Sequence, residues 1–71
     1  GEVTVAPVTS TVRGIDSEVP LGTPEHMPRS CAINLDHVQT VSKSKLGPVI
    51  TALNPDRMRE VRSALLFALG Y

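Results

Sequence analysis

Seventy-one residues carry seven basic and seven acidic side chains, two His, six Pro and no Trp, for a formal net charge of zero and an apolar fraction of 41%. That composition is too apolar for a disordered tail, and its neutrality argues against a non-specific DNA coater while leaving a local nucleic-acid site open. A chain below roughly 70–80 residues builds only a marginal core, and a single Cys with two His supplies neither an internal disulfide nor a zinc cage to staple it.

A second copy of the chain, or further residues of it, is therefore the expected source of additional core. No run approaches the roughly 18 apolar residues of a membrane span, so no membrane partner is expected. The opening Gly1-Glu2-Val3 shows neither an initiator Met nor a signal-like basic and apolar region. A reducing cytoplasm is the expected compartment.

The first element is a strand over about residues 2–10, where Val3, Val5 and Val8 stand among Thr4, Ala6 and Thr9. Pro7 cannot donate to a ladder and predicts an edge or a bulge. A turn at Arg13-Gly14-Ile15-Asp16 leads to a second strand over 17–21, and Gly22 to Arg29 reads as a loop rich in Pro and charge. The segment 30–41 alternates at first, with Cys31, Ile33 and Leu35 on one face and Ala32, Asn34 and Asp36 on the other. Its spacing then slips, which predicts a bulge or kink near Asp36-His37. Ser42 to Leu46 fits one helical turn ended by Gly47, and a last strand is expected over 48–53.

The C-terminal element has the strongest local signals. Asn54 suits an N-cap, Pro55 the first helical position and Asp56 the positive end of the dipole. Met58, Val61, Leu65, Ala68 and Leu69 recur at helical spacing, and Gly70 is placed to end the element, which predicts a helix over 55–69. Short strands followed by one helix describe a mostly β chain, a small barrel left open because its first strand has no partner before it.

Few residues could carry chemistry. His26, Cys31, Asp36 and His37 match no metal-ligand spacing, so no metal or other cofactor is expected. Cys31 with His37 could form a nucleophile–base pair, but the slip near Asp36 puts them on opposite faces, and a buried thiol is the better reading. Thr9-Ser10-Thr11 places three hydroxyls at a strand end before Arg13 and Gly14, where a phosphate could approach; the plainer reading is a strand end satisfying its own amides. Asn34, Asp36, His37 and Gln39 gather a carboxylate, amides and an imidazole around the kink, against the plainer reading of a solvated sheet face. Aromatic stacking platforms are nearly absent.

The strings "APVTST", "INLDHVQTV", "LG" at 46–47 and "LNPDRMREV", in this order, resemble the MazF/PemK family of toxins from toxin–antitoxin pairs. The resemblance covers essentially the whole chain. It implies an SH3-like barrel with a helix, acting as a homodimer that cleaves single-stranded RNA at specific sequences without a metal. It also implies a cognate MazE-like antitoxin as partner. In that chemistry the ribose 2′-hydroxyl attacks the neighbouring phosphate, which asks for a proton acceptor, a proton donor and groups that stabilise the phosphorane.

By this resemblance Thr9 matches the hydroxyl at the scissile phosphate, Ser10 is a second donor, and Asp36 matches an acidic position of the active site. Thr11, Asn34, His37 and Gln39 would line the RNA, with Asn34 standing where some members have Arg. The family's front segment, including an "RRPVLV"-type stretch with the principal catalytic Arg, has no counterpart here, and Arg13 is not its equivalent. The expectation is that residues 1–71 form the C-terminal two-thirds of one toxin domain and do not cut RNA alone. Two alternatives remain: a CcdB-like poison of DNA gyrase acting through the helix end, and a non-catalytic module that only binds an antitoxin.

Overall fold

The structure, a computed structural model, describes residues 1–49 and 51–70. Among the described residues, five strands, β1 (Glu2–Val5), β2 (Val8–Thr9), β3 (Glu18–Leu21), β4 (Cys31–Asn34) and β5 (Gln39–Ser42), precede one helix, α1 (Pro55–Ala68). The architecture is mostly β with a C-terminal helix, as the patterning predicts.

The strands form two separate antiparallel sheets, β1–β5 and β2–β4–β3. Both long strand regions read from the sequence are broken at matching places. The first breaks at Ala6-Pro7, where proline has no N–H for a ladder. The second breaks at a 3₁₀ turn over Leu35–His37, the predicted kink, whose N-cap Asn34 accepts the Asp36 N–H at 3.0 Å. Each break passes the chain from one sheet to the other, so the sheet stays open.

One expected element does not appear among the described residues. Residues 48, 49 and 51–53 form no strand, and Ile50 lies outside the described residues. The helix matches closely: the Asn54 side chain accepts the Arg57 N–H at 2.8 Å, and Gly70, at φ +85°, donates its N–H to the Phe67 carbonyl. The expected turn after β5 is a 3₁₀ turn over Lys43–Lys45.

The core is small and sits where α1 crosses β3 and the Leu35–His37 turn. Val19, Leu21, Cys31, Leu35 and Ala64 are buried together, with Val61 and Leu65 packed at their edge. Ala64 is the buried residue of the helix, flanked by Val61, Leu65 and Ala68 packed against the core. Met58, read from spacing as part of the buried stripe, is half exposed. An apolar groove of about 430 Å³ runs beside this core, lined by Val5, Ile33, Leu35, Leu53, Val61 and Leu65 among others.

Candidate functional site

The register of the three-stranded sheet sorts its side chains into two faces. Ile33 and Val19 align across the strands, as do Cys31 and Leu21, and this set faces the core, while Val8, in register with Ile33 on β2, is exposed. Thr9 pairs with Ala32, and Glu18 pairs with Asn34, so Thr9, Asn34 and Glu18 share the opposite, polar face. Asn34 lies two residues beyond the partner of Thr9. The two are therefore diagonal neighbours, a separation of about 7–8 Å in such a ladder with the Cβ atoms somewhat closer. The Asn34 N–H donates to the Pro7 carbonyl at 2.8 Å, which fixes β2 against β4 at this point.

Thr9 Oγ1 accepts the Thr11 N–H at 3.0 Å, as a strand-end hydroxyl is expected to do, and its own proton remains available to donate. Ser10 and Thr11 are exposed beside it. At the other end of the face, Asp36 Oδ2 accepts a 2.6 Å hydrogen bond from Ser17 Oγ, and Ser17 is only 2% exposed. The Ser17 carbonyl also takes the Leu35 N–H at 2.9 Å, so one buried residue anchors the 3₁₀ turn twice. Asp36 and His37 remain exposed. Gln39 stands apart from this face: it begins β5 in the other sheet, opposite Val5.

Two buried carboxylates complete the electrostatics. Glu18 Oε1 accepts the N–H groups of Arg13 and Gly14 at 2.9 and 3.1 Å, and Oε2 receives the Arg13 Nε at 3.3 Å. Burial pushes the Glu18 carboxyl up, but these donors together outweigh it and hold the group below its ordinary 4.5. Gly14 makes the arrangement possible, since φ of +68° turns its N–H onto the same oxygen. Glu25 joins the 22–30 loop to the helix: Oε1 accepts the Gly22 N–H at 2.9 Å and Oε2 the Arg57 Nε at 3.1 Å. The Gly22 N–H, opposed by burial and aided by Arg57, lowers the Glu25 carboxyl, while Glu25 and then Glu60 raise Arg57.

Sequence reasoning missed Ser17, Glu18, Glu25 and Arg57. Only Glu25 left a signal, a Glu three residues after Gly22 in the spacing of a capping box. Cys31 is a free, buried thiol, as read. Among the described residues no three His, Cys, Asp or Glu side chains converge into a metal-ligand set, and no helix is long and apolar enough to cross a membrane.

Comparison with known proteins agrees with the resemblance read from the motifs. The sequence pattern of the family described as "PemK-like, MazF-like toxin of type II toxin-antitoxin system" matches residues 1–69. "Probable endoribonuclease MazF2" of Mycobacterium tuberculosis is 34% identical over 71 residues, 99% of this chain and 70% of that protein. "Probable endoribonuclease MazF5" of the same organism is 42% identical over 66 residues, 92% of this chain and 61% of that one.

Among solved structures, "Mycobacterium tuberculosis toxin MazF-mt6" superposes with a TM-score of 0.89 at 32% identity, covering 96% of this chain and 69% of its own. A structure titled "Endoribonuclease in complex with its cognate antitoxin from Mycobacterial species" gives a TM-score of 0.83 at 30% identity, over 97% of this chain and 65% of its own. These matches set the gyrase-poison alternative aside, and the chain belongs to the PemK-like, MazF-like family of type II toxin–antitoxin toxins.

Proposed function

We propose that this chain is the C-terminal two-thirds of an endoribonuclease toxin domain that binds single-stranded RNA on the polar face of β2–β4–β3. The observation that carries the reading is the diagonal placement of Thr9 and Asn34 on that face, with Asp36 tethered at its end by Ser17. The relatives named as endoribonucleases support it, and the share of their length that the chain spans is in line with two-thirds of a domain.

In this reading a strand of RNA lies from Thr9 toward His37. Asp36 takes the proton of a ribose 2′-hydroxyl, whose oxygen forms a bond to the adjacent phosphorus as the bond to the 5′-oxygen breaks. The leaving 5′-oxygen takes a proton from water, and the products are a 2′,3′-cyclic phosphate and a 5′-hydroxyl. Thr9 and Ser10 donate hydrogen bonds to the phosphate oxygens as charge builds on them. Thr11, Asn34 and His37 line the path of the RNA, while Gln39, in the other sheet, lies off it. Asp36 fits a proton acceptor because Ser17 occupies Oδ2 alone among the described residues.

The toxin acts as a homodimer in the cytoplasm, where its RNA is, and a cognate antitoxin neutralises it. The neighbour solved with its antitoxin supports that partner. Exposed Phe67 and Leu69 near the end of α1 support a second copy covering the helix.

Incubation with mixed-sequence single-stranded RNA in a chelator tests the proposal. The chain is expected to bind RNA and, alone, not to cut it. Joined to a segment supplying the family's catalytic Arg, it is expected to leave cyclic-phosphate and 5′-hydroxyl ends. Inhibition of gyrase supercoiling without RNA binding would contradict the reading.

A further inference from the structure

Among the described residues, Arg13 is the guanidinium ion-paired to a residue of the polar face of the three-stranded sheet. Glu18, directly opposite Asn34, has a side chain only 2% exposed, and it grips Arg13 through the backbone N–H and through Nε. The Arg13 side chain itself is 51% exposed. Elsewhere Arg57 is tied to Glu25 and Glu60, and Arg59 pairs with Asp56 on the helix. Lys43 and Lys45 lie in the turn beyond β5, which belongs to the other sheet.

A guanidinium held by its Nε edge presents its two Nη groups as a planar fork, the geometry that matches two oxygens of a phosphate. A buried carboxylate behind the Nε orients the fork and reduces the entropy lost when it binds. The same carboxylate takes the Gly14 N–H, so the whole Arg13-Gly14 corner is fixed, a few residues after the Thr9-Ser10-Thr11 hydroxyls.

We propose that Arg13 is a phosphate-contact residue for single-stranded RNA on this face, held in its binding orientation by the buried carboxylate of Glu18. The proposal rests on the reading that the face binds RNA. It gives Arg13 the role of gripping a phosphate beside the reacting group, and the proton transfers stay with other groups. The contact combines the guanidinium charge with donors that Glu18 holds in orientation, and a chain of zero net charge gains a local phosphate site.

The test is the salt dependence of binding to a fluorescein-labelled, mixed-sequence single-stranded RNA. Arg13→Gln is expected to weaken binding several-fold on all sequences alike and to reduce the slope of log affinity against log salt by about 0.7, the increment for one single-strand phosphate. Arg13→Lys is expected to keep the slope and lose part of the affinity, since the charge remains and the fork does not. Amide spectra of both variants check the fold.

The unaltered chain provides a second measurement that needs no variant: the Arg13 Nε–Hε resonance shifts when RNA is added. Binding with an unmoved Arg13 resonance, or an Arg13→Gln slope equal to that of the parent, overturns the role of Arg13 and leaves RNA binding standing. Absence of RNA binding by the parent chain overturns both.

Discussion

Ser17 and Asp36, nineteen residues apart, are joined by a 2.6 Å hydrogen bond from a hydroxyl that is buried to a carboxylate that is exposed. The bond ties the start of β3 to the 3₁₀ turn after β4, and so fixes the exposed Asp36 carboxylate at the end of the polar face. Ser17→Ala is expected to lower stability by about 1–2 kcal/mol, the range for a hydrogen bond to a charged group that is partly solvated. Urea denaturation measures the loss. In the RNA-cutting form of the domain the same variant is expected to lower kcat more than it raises KM, because Asp36 is misplaced for proton transfer while phosphate binding remains.

Glu18 and Glu25 predict an acid limb of stability. Both carboxyls are held below their ordinary 4.5 in the folded chain, so around and below that pH the unfolded chain binds more protons. Their contribution is complete above the unfolded value and is lost as pH falls through the folded values. Thermal melts from neutral to acidic pH are expected to show this fall, and Glu18→Gln and Glu25→Gln are each expected to start lower and fall less. An unchanged acid limb in both variants would contradict the assignment.

Leu35 tests the core. It is 5% exposed and joins the buried set under α1, so Leu35→Ala is expected to cost about 2–5 kcal/mol. For a core this small that loss amounts to most of the stability, and the expected circular dichroism spectrum is that of a largely unfolded chain at room temperature.

Asn54→Ala removes the acceptor of the Arg57 N–H. The expected cost is about 1 kcal/mol, read as a lower melting temperature. Because Arg57 also holds Glu25, protease cleavage within residues 22–30 is expected to accelerate.

The helix, the kink and the 31–34 alternation are legible because each is written in neighbouring residues: a cap at Asn54, a slip of period after Asp36, a two-residue repeat from Cys31. Thr9 and Asn34 were singled out as separate motifs, and their diagonal relation follows only from the pairing of Thr9 with Ala32. Glu18 and Ser17 were not legible. A buried Glu in a short strand is indistinguishable in sequence from a solvated one, and its partners come from a corner whose path depends on Gly14. The strand expected over 48–53 was read from apolar content alone, and apolar content does not supply a neighbouring ladder. Gln39 was grouped with Asp36 by proximity in sequence, yet the 3₁₀ turn between them sends Gln39 into the other sheet.

The most direct test of the central claim is an amide-resonance titration of the chain with single-stranded RNA. The account predicts shifts at Thr9, Ser10, Thr11, Asn34, Asp36 and His37, with α1 largely unmoved. No shifts at saturating RNA, or shifts confined to α1, would contradict the claim that the polar face of β2–β4–β3 is the RNA site.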